Sequence, residues 1–486
     1  MVNSRRDIFE CTAVLLLAVA VLTATSWSRG AEYDEQYTLF VTSGTPRPIW
    51  PDAAFPAREV VRVQSGHAGL AAIAGDLRRT DVHPPLYFWV AGVWRPLVGD
   101  GLFAVRLLSV FFGLGTLAAV GMAARRCDIP PATAMLLTLG CYGFAYTAAI
   151  ARGFALAQLF TLAGLVAILS GRRFLAGVLL GAAVPTNYLA VFACIAVATL
   201  GWRSRWRIAI GFLPGLLGAV WFFLAQRGTR IGQFPPFEML PAMVRLARYG
   251  AANLTGGLPL YLPEAAQSFL AAGLAVGLLA VGGLVVLRWR HFGVPHLCLA
   301  LAVLAPPAGL LALGWVFDNT PIELRYLSFA TPFVALLVAA ARPPRLVLAA
   351  ILTVQAASIA GLILRPETMQ PAMATALAAA ELAGAELAGE GAVMLPRGND
   401  GVGIVGAFAA ASPPDMRLLV VGPGETLADI RRRIAPFRRI VLADLPQDAD
   451  SRNALPVMTA ALHESGWYEI GRGFHVVAYQ RVDGAQ

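Results

Sequence analysis

The chain has 486 residues, 57% of them apolar and only 14% charged, with a mean hydropathy of +0.65. Soluble domains are about a quarter charged, so composition excludes both a soluble enzyme and a disordered chain. The charge balance is 38 basic to 29 acidic, net +9. Every basic residue of that set is arginine, and the arginines punctuate apolar runs as they do in cytoplasmic loops of membrane proteins, so no nucleic-acid partner is expected.

A membrane-spanning helix takes about 20 mostly apolar residues. Such runs fall at 11–27, 102–124, 132–150, 153–171, 207–226, 265–287, 295–316, 325–341 and 345–364, with a further apolar stretch at 174–202 broken by Pro185-Thr186-Asn187. Arginine clusters at Arg5-Arg6, Arg125-Arg126, Arg172-Arg173, Arg203/Arg205/Arg207, Arg288/Arg290 and Arg342/Arg345 are all placed inside by the positive-inside rule. An even number of crossings must then separate successive clusters. This makes 174–202 two short crossings with Thr186-Asn187-Tyr188 at the outer turn. About 11 crossings result, with the N-terminus inside and the C-terminus outside. The first run, headed by Arg5-Arg6, reads as an uncleaved helix rather than a signal peptide.

Parity also keeps the apolar stretch 84–98 out of the membrane core. It is predicted to be a half-helix at the outer surface, with Trp89, Trp94 and Arg95 suited to an interface. Three outer segments remain. Residues 28–101 form a first loop, and 228–264 a second, with Pro235-Pro236 and a helix near 238–250. Residues 370–486 form a tail. Its pattern predicts an Ala/Glu-rich helix at 372–389, then strand 392–395, helix 401–411, strand 417–421, helix 425–434, strand 438–442, helix 453–465 and strands 467–470 and 474–481. That alternation predicts a small α/β domain. The expected domains are therefore 1–369 in the membrane and 370–486 outside it. Cys11, Cys127, Cys141, Cys194 and Cys298 lie in or beside apolar runs with no metal-site spacing, so neither disulfides nor zinc are expected.

Charged groups beside an apolar bundle are costly and tend to be functional. Tyr33-Asp34-Glu35-Gln36-Tyr37 follows the first helix. Paired carboxylates there can act as a general base, bind a cation or orient a hydroxyl; a solvated loop start is the plainer alternative. In Thr80-Asp81-Val82-His83-Pro84-Pro85-Leu86-Tyr87 the double proline pins the start of the half-helix and holds Asp81 and His83 at a fixed depth by the surface, or is simply a turn. Arg152 and Arg325-Tyr326 sit at outer helix boundaries, against the inside bias of the other arginines. They bind an anion through the planar guanidinium fork or snorkel to lipid headgroups. Asn187 and Tyr188 share that level. The set suits an enzyme handling a lipid-linked phosphate and a polar acceptor better than a transporter, which carries its broken helices and charges at the midplane.

These residues resemble a known family. Asp34-Glu35-x-Tyr37 and Asp81-x-His83-Pro84-Pro85-Leu86-Tyr87 resemble the hallmark motifs of GT-C glycosyltransferases of the protein O-mannosyltransferase and aminoarabinose transferase type. Arg106-Leu107-Leu108-Ser109 is similar to that family's "ARLPSALFG" segment and Ala151-Arg152-Gly153-Phe154-Ala155-Leu156 to its "ARxYAL" segment. Arg325-Tyr326 resembles the "RY" before a late helix. The match spans about residues 8–365, and the subgroup resembled includes bacterial galacturonosyltransferases of lipopolysaccharide. Thr186-Asn187-Tyr188 stands where many relatives have Thr-His-Tyr, and Phe154 where many have Tyr.

The resemblance implies an α-helical polytopic GT-C fold with outer-surface half-helices and a small C-terminal α/β domain. It implies an inner-membrane enzyme that transfers a sugar, with inversion, from a polyprenyl-phosphate donor to a hydroxyl of a lipid, polysaccharide or protein acceptor at the periplasmic face. Asp34 and Glu35 would be the catalytic pair, with Asp34 the base or the group orienting the acceptor. Tyr37, Asp81, His83, Tyr87, Arg152, Asn187, Tyr188, Arg325 and Tyr326 would bind donor or acceptor. No organic cofactor is implied; a divalent cation is compatible, and its ligands are not specified. The alternatives are a flippase for lipid-linked sugars and a non-catalytic accessory subunit. Gly401-x-Gly403-x-x-Gly406 mimics a dinucleotide fingerprint. Five residues separate it from the preceding strand, and the tail is expected outside the cytoplasm, so tight packing is the expected use of these glycines.

Overall fold

The computed structural model describes residues 4–226, 234–365, 391–399, 401–446, 448–473 and 475–481. In chain order the helices begin with α1 (Ser4–Ser28), α2 (Tyr33–Ser43), α3 (Arg58–Gln64), α4 (Leu70–Thr80), α5 (Leu86–Val98) and α6 (Leu102–Arg126). They continue with α7 (Pro131–Gly140), α8 (Tyr142–Thr147), α9 (Phe154–Leu169), α10 (Arg173–Ala183), α11 (Ala190–Ala198), α12 (Arg205–Ala225) and α13 (Met239–Thr255). Then come α14 (Glu264–Leu287), α15 (Val294–Phe317), α16 (Thr331–Ala340) and α17 (Arg345–Leu364), and in the tail α18 (Gly403–Ala411), α19 (Leu427–Ile434) and α20 (Ala449–His463). The strands are β1 (Phe55–Pro56), β2 (Gly391–Pro396), β3 (Arg417–Val421), β4 (Arg439–Ala443), β5 (Trp467–Gly473) and β6 (Val476–Arg481). The helix expected at 372–389 lies outside the described residues.

The chain divides into two compact units. The first comprises Met1–Ser28, Ala74–Val90 and Phe103–Met369. It is helical, and among the described residues six stretches are long and apolar enough to cross a membrane: Arg5–Ser28, Leu102–Arg126, Ala190–Ala225, Glu264–Leu287, Val294–Phe317 and Arg345–Leu364. Four shorter apolar helices, α7, α9, α10 and α16, accompany them. Helix α14 makes the solvent of this unit plain. None of its residues is buried, yet Phe269, Leu279 and Leu287 are 85%, 76% and 80% exposed. An apolar surface of that kind belongs in lipid. The stretch at 174–202 is interrupted where Pro185 predicts, between α10 and α11, each shorter than the ~20 residues a straight crossing takes.

A device absent from the sequence reading holds α10 against α12. Gly177-xxx-Gly181 on one faces Gly211-xxx-Gly215 on the other, and a Cβ on any of the four would collide with facing backbone. Small residues at four-residue spacing let helix backbones meet where lipid offers no hydrophobic drive to bury side chains.

The second unit comprises Arg29–Ile73, Ala91–Leu102 and Gln370–Gln486. Its six-stranded sheet has the order β1-β3-β2-β4-β6-β5. Strand β2 is parallel to β3 and β4; β6 runs antiparallel to β4 and β5. The tail strands and helices fall where their alternation places them. One edge strand of the sheet, β1, comes instead from the first loop and pairs antiparallel with β3, Phe55 opposite Leu418. Its faces are covered by two apolar clusters, one around Val393, Leu395, Val405 and Phe408, the other around Met394, Leu419, Ile430 and Met458.

Arg95, expected at an interface, is instead enclosed, 1% exposed. Its Nη1 donates to Leu39 O at 2.9 Å and Thr42 Oγ1 at 2.8 Å, its Nη2 to Gln64 O at 2.6 Å, and Asp100 lies 3.4 Å away. The last turns of helices leave carbonyls unsatisfied and carry partial negative charge. A guanidinium donating into the ends of α2 and α3 satisfies both needs, which is why this charge is stable inside the fold.

Candidate active site

The candidate residues form two groups, one in each unit. In the first unit, α4 ends at Thr80 and the backbone turns through Asp81 into Pro84-Pro85, the start of α5. Asp81 Oδ1 accepts the backbone N–H of Val82 at 2.6 Å and of His83 at 3.2 Å, and lies 2.6 Å from His83 Nδ1. Arg152 Nη2 lies 2.8 Å from His83 Nε2, and its guanidinium stands 5.7 Å from the centre of the Phe88 ring. Asp81 and Arg152 are both buried, while His83 keeps 28% of its side-chain surface. Burial alone would raise the Asp81 carboxyl. The charge and hydrogen bond of His83 and the charge of Arg152 outweigh it and hold Asp81 well below the usual carboxylate range. Asp81 is therefore a fixed anion that orients His83 through Nδ1, and Arg152, donating to the other side of the imidazole, carries the group's positive charge.

Gly153 allows this approach. A Cβ there would lie 2.7 Å from Thr186 O and 3.1 Å from Tyr87 Cβ, so only glycine lets the Arg152 turn, Tyr87 and the 186–188 turn come together. Leu86 N donates to Pro185 O at 3.0 Å from the other side. Tyr188 OH reaches Gln226 Oε1 at 3.0 Å, and Gln226 Nε2 donates to His83 O at 2.8 Å and Leu77 O at 3.2 Å. Gln226 escaped the sequence reading; its signal is a buried amide at the end of an apolar run. Asn187 turns inward to its own chain, Oδ1 accepting Leu189 N at 3.1 Å at the start of α11.

The Arg325 segment joins through aromatic packing, Phe154 stacking on Tyr326 at 6.3 Å and meeting Phe329 at 5.9 Å. Gln158 Nε2 donates to Ser328 Oγ at 3.0 Å, which donates to Arg325 O at 2.7 Å. Asn253 Nδ2 donates to Leu324 O at 2.6 Å and its Oδ1 accepts from Thr331 at 2.7 Å. Arg325 pairs with Glu323 at 2.8 Å. Glu323 keeps a third of its side-chain surface, yet crowding by its surroundings pushes its carboxyl up to about 7, with Arg245 pulling the other way. Glu323 also went unread in the sequence, where a lone acid two positions before Arg325-Tyr326 was its only mark.

In the second unit, Tyr33–Tyr37 opens helix α2, where the sequence reading allowed a loop. The helix begins with a capping box. Glu35, at the third helical position, is fully buried, and its Oε2 accepts the backbone N–H of Glu32 at 3.1 Å. Glu32 in turn forms a buried ion pair with Arg29. Reciprocal capping satisfies amides that the first helical turn leaves open, so Glu35 has a structural task. Asp34 is half-buried on the same turn. Tyr33 and Tyr37, one turn apart, are linked hydroxyl to hydroxyl at 3.0 Å, and Arg47 stands over the rings of Tyr37 and Phe40, 5.4 Å from each.

The glycines of the dinucleotide-like run serve packing, as expected. A Cβ at Gly403 would lie 2.6 Å from Tyr33 Cζ, and one at Gly406 2.8 Å from Gln36 Oε1 and Gln64 Nε2. They admit α2 against α18. Among the described residues no three His, Cys, Asp or Glu side chains gather as a metal-binding group.

No family model and no curated protein matches the sequence. Solved structures do match. ArnT from Cupriavidus metallidurans in the apo state superposes with a TM-score of 0.53 over 97% of each chain at 14% identity. ArnT from the same bacterium, bound to undecaprenyl phosphate, superposes with a TM-score of 0.50 over 98% of each chain, also at 14% identity. At that identity the likeness is one of fold, and it runs the length of the chain: the apolar helical bundle and small C-terminal sheet domain expected from the sequence are folded as in ArnT.

Proposed function

We propose that this chain is an integral-membrane glycosyltransferase. It transfers a sugar from a polyprenyl-phosphate donor to an acceptor hydroxyl at the periplasmic face, with inversion. The observation that carries the reading is the Arg152–His83–Asp81 group: a buried guanidinium hydrogen-bonded to an imidazole that a buried carboxylate orients, in a fold whose solved counterpart was captured with undecaprenyl phosphate. Arg152, Arg325 and His83 hold the donor phosphate. Asp34 takes the proton of the acceptor hydroxyl as its oxygen attacks the anomeric carbon. The bond from that carbon to the phosphate oxygen breaks, and polyprenyl phosphate leaves as an anion. The leaving group needs positive charge rather than a proton, because fixed cationic donors stabilise the charge that develops. Glu35 fixes the first turn of the helix that carries Asp34; Tyr37, Tyr87, Asn187, Tyr188 and Tyr326 shape the surroundings of donor and acceptor. The membrane part lies within residues 1–369, and residues 370–486 belong to the extracytoplasmic part, which Arg29–Ile73 and Ala91–Leu102 join in one compact unit.

The direct test is turnover by purified protein in lipid discs, given a polyprenyl-phosphate sugar and a hydroxyl acceptor. Free polyprenyl phosphate and glycosylated acceptor should appear in equal amounts. Movement of intact donor between leaflets without its consumption would replace the enzyme by a flippase. Comparing cell-envelope glycans by mass spectrometry with and without the protein would then identify acceptor and sugar.

The orientation has its own test. Cys127, Cys141, Cys194 and Cys298 are buried and Cys11 is half-buried, so in a Cys11→Ser background an introduced thiol stands out. Thr80→Cys and Leu240→Cys should react with an impermeant thiol reagent from outside the cell, and Ser204→Cys should not. Outside labelling of Ser204→Cys would overturn the arginine-parity arrangement of about 11 crossings.

A further inference from the structure

We infer that the C-terminal α/β unit is a positioning device for the carboxylate helix α2, which it grips through Tyr33 and Asp448 in the crevice where a sheet of this topology otherwise takes a ligand. The inference rests on the reading of Asp34 as the base.

The sheet order supplies the crevice. Strand β2 lies between β3 and β4, parallel to both. The chain passes from β2 to β3 on one side and from β3 across to β4 on the other. In open sheets of this kind the strand order reverses at such a point, and ligands bind beyond the carboxyl ends of the strands there. Beyond β2 lies the turn of Gly398 and Asn399; beyond β4 lies Asp448. The two loops are tied together: Asn399 N donates to Asp448 Oδ2 at 3.0 Å, and a Cβ at Gly398 would stand 2.7 Å from that oxygen. Asp448 Oδ1 accepts Ser451 N at 2.8 Å at the start of α20.

What occupies this crevice is part of the chain itself. Tyr33 OH donates to Asp448 Oδ2 at 3.2 Å, and Tyr37 OH donates to Tyr33 OH at 3.0 Å. Along α2, Tyr33, Gln36, Tyr37 and Phe40 fall at the i, i+3, i+4, i+7 spacing of one helix face. The glycine face of α18 receives it, Gly403 beneath the Tyr33 ring and Gly406 beneath the buried Gln36–Gln64 pair, whose amides are hydrogen-bonded at 2.7 Å. Trp50 Nε1 donates to Gly401 O at 2.7 Å, tying the first loop to the same turn. At the far end of α2, Arg95 holds Leu39 O and Thr42. The rotation and rise of α2, and so the place of the Asp34 carboxylate one residue from Tyr33, are set from both ends. A reacting group misplaced by 1 Å can lose about 10²-fold in rate.

The test is a double-mutant cycle in the full-length protein, with turnover, donor affinity and unfolding midpoint all measured. Gly403→Ala places a methyl group against the Tyr33 ring. It should lower kcat about 10-fold and leave donor affinity at the wild-type value. Tyr33→Phe removes the hydroxyl that links Tyr37 to Asp448, and Asp448→Asn removes the charge and one of the acceptors shared by Tyr33 OH and Asn399 N; both leave the shape and should lower kcat about 3- to 10-fold in the same selective way. Tyr33→Ala removes the ring that the new methyl meets. In combination with Gly403→Ala it should give a kcat well above the product of the two single effects, because residues in contact are not additive. Wild-type kcat in Gly403→Ala, strictly additive effects, or a parallel fall of donor affinity would each overturn the proposal. If Gly403→Ala does not fold, Tyr33→Phe and Asp448→Asn decide it, and wild-type kcat in both overturns it. Asp34→Asn separates the two levels of the argument. Full activity there removes the base assignment itself. A dead Asp34→Asn beside a fully active Gly403→Ala removes the positioning device alone.

Discussion

Replacing Asp34 by asparagine should reduce turnover by about 10²-fold or more, the scale on which a general base contributes, while donor affinity stays at the wild-type value. The substitution keeps the shape of the side chain and removes its charge and proton affinity. Donor affinity is the internal control, because the proposed phosphate-holding residues Arg152, His83 and Arg325 are untouched. Glu35→Ala is the companion measurement. Glu35 is fully buried and caps the first turn of α2, so its loss should lower stability, by about 1 kcal/mol as for other N-terminal capping interactions, with a smaller effect on turnover per folded molecule. Near-normal turnover in Asp34→Asn would pass the role of base to Glu35 or Asp81.

Arg152→Ala should weaken donor binding by about 10- to 100-fold. A hydrogen bond to a charged group contributes about 1.5–3 kcal/mol net, and each 1.4 kcal/mol is a factor of ten. Two features of the structure sharpen this. Arg152 is 2% exposed and shares its donors with His83, so water cannot substitute for it and His83 loses its partner as well. Arg325 already pairs with Glu323 at 2.8 Å, and Arg325→Ala should therefore fall at the weaker end of the range. Arg152→Lys should recover only part of the loss, since an ammonium offers a point charge in place of a planar fork. The measurement is a donor titration of purified protein with a polyprenyl-phosphate sugar. If Arg152→Ala and Arg325→Ala both bind the donor as tightly as wild type, these arginines are structural anchors, and the phosphate site lies elsewhere, with Arg248 and His83 the next residues to replace.

Much of this molecule is legible one segment at a time. Apolar run length and the scarcity of charge put the chain in a membrane, because a spanning helix must satisfy its backbone internally and clothe itself in apolar side chains. In the tail, alternating short strands and helices marked the sheet domain, β3 falling at 417–421 as predicted. The Pro84-Pro85 pair marked the start of α5, and the break at Pro185 separated α10 from α11. Charges placed against the positive-inside bias pointed to Arg152 and Arg325. The structure brings Asp81, His83 and Arg152 into one hydrogen-bonded group, as their shared depth suggested.

Tertiary structure alone decided the rest, and in each case the reason is a partner far away in sequence. Arg95 reads as an interfacial arginine from its neighbours Trp89 and Trp94. It is buried because two helix ends, at Leu39 and Gln64, present their carbonyls to it. Glu35 reads as half of a carboxylate pair, and only the fold shows that it also caps the turn at Glu32 N. Gln226 looks like the polar end of an apolar run until Tyr188, Leu77 and His83 converge on it. Tyr33 and Asp448 stand 415 positions apart, and no local pattern in either segment announces the other. Phe55–Pro56 is too short to carry a strand signal and becomes one only because β3 offers an open edge. Periodicity and charge bias are properties of a single segment and can be read from it. Which buried polar group meets which is settled by how segments pack, since a buried donor or acceptor must find a partner wherever the fold supplies one.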